Sequence, residues 1–393
     1  MKKKISYMYV LMHVVFWCTY AITWSYTAVY LKSCGYDNSV VGLVTGIGAV
    51  ISVILQPVLA SVSISWKQMH TRNLMMILKV CSLVFTVLMM MKLPGIYTVA
   101  VLFTGLAAID ASIPSMLSSL AMDCVNSGKY VNYGLARGCG SIAYAVFSLF
   151  LGYATEWFGT GCLLVLYVVT GIVTVVMMGC FPYHMAEKKE EKKTKSDSPS
   201  VISVFFRYPF LKYFLLASVL LFMGHNMLNV FLLNIIERAG GTSSNLGIAL
   251  AISACVELPV MVCFVKLSEK ISVEKLLVIS AFFFTIKSIF TFFAVNMGFV
   301  YIVQFMQFGA FALFTPASVY FINKAMHHQD GGLGQALLGS CSLGLGGTLG
   351  NVFGGLILDH AGLGQMIICA AVLSAAGVVF MTVSSGLYIK EKQ

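Results

Sequence analysis

The sequence predicts an all-α membrane protein whose twelve transmembrane helices form two pseudo-symmetric six-helix bundles, and three observations predict it. Of 393 residues, 59% are apolar and 10% charged, with a mean hydropathy of +0.89, far outside the range of a water-soluble domain. Twelve runs reach the roughly 20 predominantly apolar residues that a helix needs to cross a bilayer. One polar stretch, AEKKEEKKTKSDSPS (186–200), splits those runs six and six. Backbone N–H and C=O groups must be satisfied within the chain in hydrocarbon, so the open spanning segments are expected to be helices.

The runs fall at 7–31, 38–63, 73–92, 95–121, 130–155, 160–182, 208–236, 242–265, 273–294, 297–323, 332–358 and 363–388. The first follows Lys2-Lys3-Lys4 and is about 25 residues long, beyond a typical signal-peptide core, so it is expected to be retained. The second carries Pro57, the third Lys79 and the fourth Asp110. The fifth holds Arg137 in YGLARGCGSIAYAV and closes with LGYATEWFG (151–159). After the sixth and the polar stretch, the seventh carries His225, Asn226 and Asn229, and the eighth Glu257 with Pro259. Lys287 lies in the ninth, Gln304 and Gln307 in the tenth. The eleventh is dense in glycine and closes with GGLILDHAG (354–362), and the twelfth completes the set.

The polar stretch cannot bury anything and reads as a cytoplasmic linker, giving a division into 1–185, 186–205 and 206–393. The two halves echo each other in the endings of the fifth and eleventh spans and in the prolines of the second and eighth. Repeated halves mark secondary transporters, which bind solute where the repeats meet. Glycines at three- and four-residue spacing in the eleventh span allow close backbone approach, for static packing or for sliding. Lys and Arg gather in the even-numbered connections and at both termini, with only Lys32, Lys92 and Arg238 in the odd-numbered ones. That asymmetry places both termini in the cytoplasm of a multi-pass protein of a cell membrane and accounts for the net charge of +10 without nucleic acid. The eleven cysteines sit almost wholly inside spans, as small apolar packers, and no metal-ligand spacing occurs. No GxSxG, HExxH or Walker motif is present, so neither an enzyme nor an ATP-driven pump is expected, and no cofactor.

Charges inside spans carry the functional reading, since an ionised group near the membrane centre costs on the order of 3 kcal/mol or more and needs a partner or a task. Glu257 stands alone in an apolar stretch between Arg238 and Lys266. Arg137, from the other half, could pair with it during a transport cycle or fix packing permanently. Lys79 and Asp110 are expected to form a structural ion pair. Asn226 and Asn229 share a face by spacing, as do Gln304 and Gln307, and amides read hydroxyl groups well. Trp24, Tyr26 and Tyr144 offer flat faces to a ring. His327-His328 reads as a solvated turn.

VGLVTGIGAVISVILQPVLAS (41–61), NYGLARGCGSIAYAV (132–146), LGIALAISACVELPVM (246–261) and the two matched helix endings resemble the Major Facilitator Superfamily, in the branch of lactose permease and the 3-phenylpropionate permease-like proteins. The resemblance spans essentially the whole chain and implies that family's fold. It puts sugar-contacting roles on Arg137 and Glu257, ring stacking on Tyr144, and the helix-9 cation that faces a proton-coupling carboxylate on Lys287. The chain also departs from lactose permease. That protein's helix-10 histidine and proton-carrying glutamate fall on Gln307 and Ala310, its helix-7 aspartates on Asn226 and Asn229, and its helix-11 lysine on Leu343. If transport is proton-coupled, Glu257 is the buried carboxylate best placed to take the proton.

The expectation is a monomeric secondary transporter of a small polar organic solute, a sugar, oligosaccharide or nucleoside-like polyol, by proton symport and alternating access. Arg137, Glu257, Tyr144, Asn226, Asn229, Gln307 and Trp24 would bind solute, with Glu257 and Lys287 coupling protons. Uniport, movement of amphipathic drugs or aromatic acids, and a non-transporting sensor or scaffold are the alternatives.

Overall fold

In the computed structural model, which describes residues 2–65, 70–91, 95, 97–182 and 201–391, helices account for nearly all of the chain. Among the described residues twelve helices are long and apolar enough to cross a membrane: α1 (Ile5–Ser25), α2 (Asn38–Leu59), α3 (Thr71–Met90), α4 (Thr98–Val125), α5 (Tyr133–Phe158), α6 (Cys162–Cys180), α7 (Pro209–Val230), α8 (Ser243–Lys270), α9 (Val273–Phe293), α10 (Met297–Ala325), α11 (Asp330–Ala361) and α12 (Leu363–Lys390). Every span expected from the sequence is present, with ends displaced by a few residues. Local chemistry sets those ends. Asn132 accepts Leu135 N–H to cap α5, Asn296 accepts Phe299 N–H to cap α10, and Thr242 with Asn245 forms a capping box at α8. Gly159 and Gly362, at φ of +75° and +92°, stop α5 and α11 at equivalent places, in the left-handed region that glycine tolerates.

Two expected spans are shorter than the sequence suggested because the chain breaks stride. The first ends at Ser25 and is followed by a short helix, Thr27–Ser33; the seventh ends at Val230 and is followed by Leu232–Arg238. Residues 201–205, assigned to the linker from sequence, are helical within Val201–Arg207. The rest of the linker (186–200), Lys67, Lys92 and Lys392 lie outside the described residues.

The chain divides into two compact units, Met1–Tyr36 with Ile47–Lys192, and Asp37–Gly46 with Lys193–Gln393. Inside the first, α1 packs on α5 and α6, and α3 on α4 and α6; inside the second, α7 packs on α11 and α12, and α9 on α10 and α12. Adding six to each helix number converts one pattern into the other, which is the internal repeat seen as packing. Each unit has its own core: Tyr9, Met12, Phe16, Ile113 and Leu117 in the first, and Phe210, Phe214, Phe321 and Tyr388 in the second.

The second unit begins at Asp37, earlier than the sequence division, because the start of α2 lies directly on α11. A Cβ on Gly42 would overlap the Asn351 carbonyl, and one on Gly355 would overlap that of Asn38. The Asp359 carboxylate caps the same helix start, accepting Ser39 N–H at 2.6 Å, Ser39 Oγ at 2.6 Å and Asn38 Nδ2 at 2.8 Å. An anion at a helix N-terminus is favoured by the unsatisfied N–H groups and by the macrodipole. At the far end of α9, Arg238 Nη2 donates to the Thr291 carbonyl at 2.7 Å and also reaches those of Phe292 and Ala294. Burial draws this guanidinium below its ordinary pKa.

Two irregularities interrupt the second unit's helices. α10 tightens into a 3-10 turn at Met306–Phe308, and α11 widens into a π-helix at Ser340–Gly346. The widened segment meets α7 with almost no side chain between: a Cβ on Gly346 would lie 2.8 Å from the Val219 carbonyl oxygen, and one on Gly350 would lie 2.5 Å from that of Met223. Overpacking at such a place typically costs about 1–3 kcal/mol. Gly350→Ala is therefore expected to lower the melting temperature of the detergent-purified protein by roughly 3–8 °C, whereas Gly339→Ala, where a Cβ meets nothing within 4 Å, should leave it within about 1 °C.

Candidate functional site

Three of the polar clusters among the described residues of these helices hold the charges singled out in the sequence, and they differ in which groups satisfy them. The first is closed. Lys79 on α3 and Asp110 on α4 are both 0% exposed, with Lys79 Nζ 2.7 Å from Asp110 Oδ1. Thr23 Oγ1 and Tyr167 OH donate to Asp110 Oδ2 at 3.0 and 2.8 Å, and Lys79 also donates to Tyr167 OH at 2.8 Å. The ammonium lies 4.4 Å from the Tyr167 ring centroid. The sequence reading paired Lys79 with Asp110 and missed Tyr167 and Thr23. Tyr167 carries no local signal on the otherwise apolar α6.

The second cluster joins α1 and α5 in the first unit. Residues 13, 17, 20 and 24 share one face of α1 at spacings of four, three and four, and residues 137, 140, 141 and 144 share one face of α5. Arg137 lies over the Trp17 ring, its guanidinium carbon 4.1 Å from the centroid, and Nη1 donates to Ser141 Oγ at 2.7 Å. Trp17 Nε1 donates to His13 Nδ1 at 3.3 Å. Tyr144 meets the Trp17 ring edge-on at 6.4 Å and pairs its hydroxyl with Ser25 Oγ. Trp24, 47% exposed, stacks on Tyr20 with 15° between planes. The ring that meets the planar Arg137 cation is Trp17. The sequence reading missed Trp17, one of several aromatic residues on α1.

The third cluster lies in the second unit and joins α8, α9 and α10. Lys287 Nζ donates to Gln307 Oε1 at 2.6 Å, and Gln307 Nε2 donates to Glu257 Oε1 at 3.0 Å. Lysine has only donors, so it fixes the amide's orientation, and the N–H₂ end must turn toward the carboxylate. Lys287 and Gln307 are 2% and 5% exposed, while Glu257 is half-buried. Gln307 itself lies in the 3-10 turn at Met306–Phe308. One turn earlier, Gln304 Oε1 accepts from Ser253 Oγ on α8 at 2.9 Å.

The two helix-7 amides do different things. Asn229 Nδ2 lies 2.7 Å from His225 Nε2, whose ring stacks on Phe311 with 7° between planes. Asn226 is 6% exposed, donates to its own helix at the Phe222 carbonyl, and lies beside Gly347. Of the expected solute contacts, Arg137, Tyr144 and Trp24 belong to the first unit, and Glu257, Gln307, Asn226 and Asn229 to the second. His327 is exposed at the turn before Asp330, as expected of a solvated position, and its backbone N–H donates to Tyr208 OH. The side chain of His328 lies outside the described residues.

Repeated six-helix units of apolar spans with charged groups held inside them mark a multi-pass membrane protein, and the family it belongs to makes it a transporter. The chain belongs to the MFS_1 like family, whose model matches residues 5–368. No curated protein matches it in sequence. Among solved structures it is similar to a single-residue mutant of the nucleoside transporter NupG, at a TM-score of 0.82 and 12% identity over 98% of this chain and 99% of that one. It is also similar to NupG itself (TM-score 0.79, 13% identity, 98% and 99% coverage). A bacterial homologue of the human lysosomal transporter Spinster follows at a TM-score of 0.71 and 14% identity, with 99% and 98% coverage. These likenesses establish the Major Facilitator fold.

The closed cluster yields a stability test. Removing one partner of a buried pair strands the other charge, a loss of about 3–5 kcal/mol. Asp110→Asn and Lys79→Met should each lower the melting temperature markedly, and the double variant should recover at least half of that loss in the same thermal assay.

Proposed function

We propose that this protein is a proton-coupled secondary transporter of a small polar organic solute, a sugar, oligosaccharide or nucleoside-like polyol, working by alternating access. The observation that carries the proposal is the Lys287–Gln307–Glu257 chain. A carboxylate that only held helices together would be fully enclosed beside its cation, as Asp110 is. Glu257 is half-buried in a stretch of α8 that holds no other charge before Lys266, with a polarised amide as a donor and a cation one residue further back. Its partial exposure leaves the carboxylate within reach of a proton, which suits a group that must gain and lose one in each cycle.

Arg137, Tyr144 and Trp24 in the first unit and Glu257, Gln307, Asn226 and Asn229 in the second are the proposed solute contacts, with Glu257 and Lys287 coupling the proton. The amides, the guanidinium and the aromatic faces of α1 match a solute that carries several hydroxyl groups and a ring. The likeness to a nucleoside transporter favours the nucleoside-like end of that range. The resemblance to the lactose permease branch supports the roles of Arg137 and Glu257. The saturated Lys79–Asp110 pair is assigned to structure. The division at 1–185, 186–205 and 206–393, a monomeric state, residence in a cell membrane and cytoplasmic termini complete the proposal, the last resting on the distribution of Lys and Arg.

The test is uptake into proteoliposomes of a panel of radiolabelled sugars and nucleosides, uridine among them, with and without an imposed pH gradient. A gradient-driven accumulation is expected for at least one of them. Glu257→Gln should abolish that accumulation while leaving solute exchange within about tenfold of the parent, because the amide keeps the shape and loses only the titratable charge. Accumulation by the parent that ignores the gradient would establish uniport instead.

A further inference from the structure

We propose that Trp17 is a positioning residue for Arg137, and that a hydrogen-bonded chain through His13 and Tyr9 holds its indole in place. The inference rests on the reading that Arg137 contacts solute, and it identifies what orients that guanidinium.

The chain can be followed proton by proton. Tyr9 OH donates to the Leu117 carbonyl on α4 at 2.8 Å, so its oxygen is left to accept. His13 Nε2, 2.9 Å away, must then carry the proton and donate. That assignment leaves His13 Nδ1 as an acceptor, which is the role that Trp17 Nε1–H requires. Only the neutral Nε2–H tautomer satisfies all three groups at once. The indole is thereby tied, through two side chains, to a main-chain carbonyl of another helix.

The same pyrrole side of the ring, at Cδ1, is also fixed by shape. A Cβ on Gly140 would land on the Trp17 indole, so α5 needs glycine there for the ring to lie against it. Gly140 is three residues beyond Arg137 and shares its face, as does Ser141, which takes Nη1. The guanidinium is therefore gripped on its face by the indole and at one nitrogen by a hydroxyl. A cation stacked on tryptophan gains from the ring quadrupole and, more usefully, loses rotational freedom. A flat guanidinium held in a known plane recognises paired acceptors, such as a vicinal diol or the edge of a base, better than a freely rotating one does.

The grip can be read without any solute. In the purified full-length protein, 2,3-butanedione condenses with guanidinium nitrogens, and the modification rate at Arg137 can be followed by peptide mass spectrometry. Trp17→Leu is expected to raise that rate about fivefold or more, while Trp17→Phe, which keeps a face without the N–H, raises it less than about twofold. His13→Leu leaves the ring but removes its acceptor and should fall between them; it carries the test if the Trp17→Leu variant does not fold. In parallel, uridine uptake by Trp17→Leu should show KM raised about tenfold with Vmax nearly unchanged, and no further rise when Arg137→Gln is added. An unchanged modification rate in both Trp17→Leu and His13→Leu overturns the proposal. If the parent takes up no uridine while the reactivity order holds, the solute assignment fails and the positioning role stands.

Discussion

Every polar group that enters the hydrocarbon of a membrane must find its partner within the chain, and this constraint orders the whole molecule. It makes the spans helical, it caps their ends, and it decides which ionisable side chains can exist inside them. Asp110 is the limiting case, a fully buried carboxylate with three donors on two oxygens, one of them a cation at 2.7 Å. Nothing is left for a ligand to satisfy. Such saturation explains how a lysine and an aspartate persist deep in the first unit without serving as a binding site.

The other two clusters meet the same constraint by different means. Arg137 is gripped on one face and at one nitrogen, and Glu257 receives a neutral amide from its own unit where Asp110 receives an ammonium. Gln307 transmits the influence of Lys287 to Glu257 through a fixed amide, so the two charges are linked across it. A linkage of this kind moderates the carboxylate's charge without locking it. That amide sits in the tight 3-10 turn of α10.

Much of the fold was legible in the sequence, for one reason: hydropathy over about 20 residues is a summed signal, insensitive to any single side chain. The repeat was legible in two helix endings, and both prove to stop at a glycine of positive φ. What escaped was detail that depends on neighbours. The seventh run looked continuous to 236, yet the helix breaks at Phe231, because hydropathy does not report backbone stride. Glycine density marked α11 as unusual without revealing the π-helix that places Gly346 and Gly350 against α7. Lys79 and Asp110 could be paired because they are rare charges on neighbouring helices. Trp17 could not be singled out, since its meaning lies in Gly140 and Arg137, more than a hundred residues away.

Asp359 has a bearing on biosynthesis as well as on packing. Its charge is answered at the start of α2 by two backbone N–H groups, the Ser39 hydroxyl and the Asn38 amide, with no lysine or arginine among those donors. The only cations in the odd-numbered connections are Lys32, Lys92 and Arg238, and Arg238 is engaged by the carbonyls that end α9. Those connections are therefore poor in the charges that resist translocation during insertion. A carboxylate that takes its counter-charge from a helix end lets the nascent chain keep a strong orientation bias while still fastening two of its helices together.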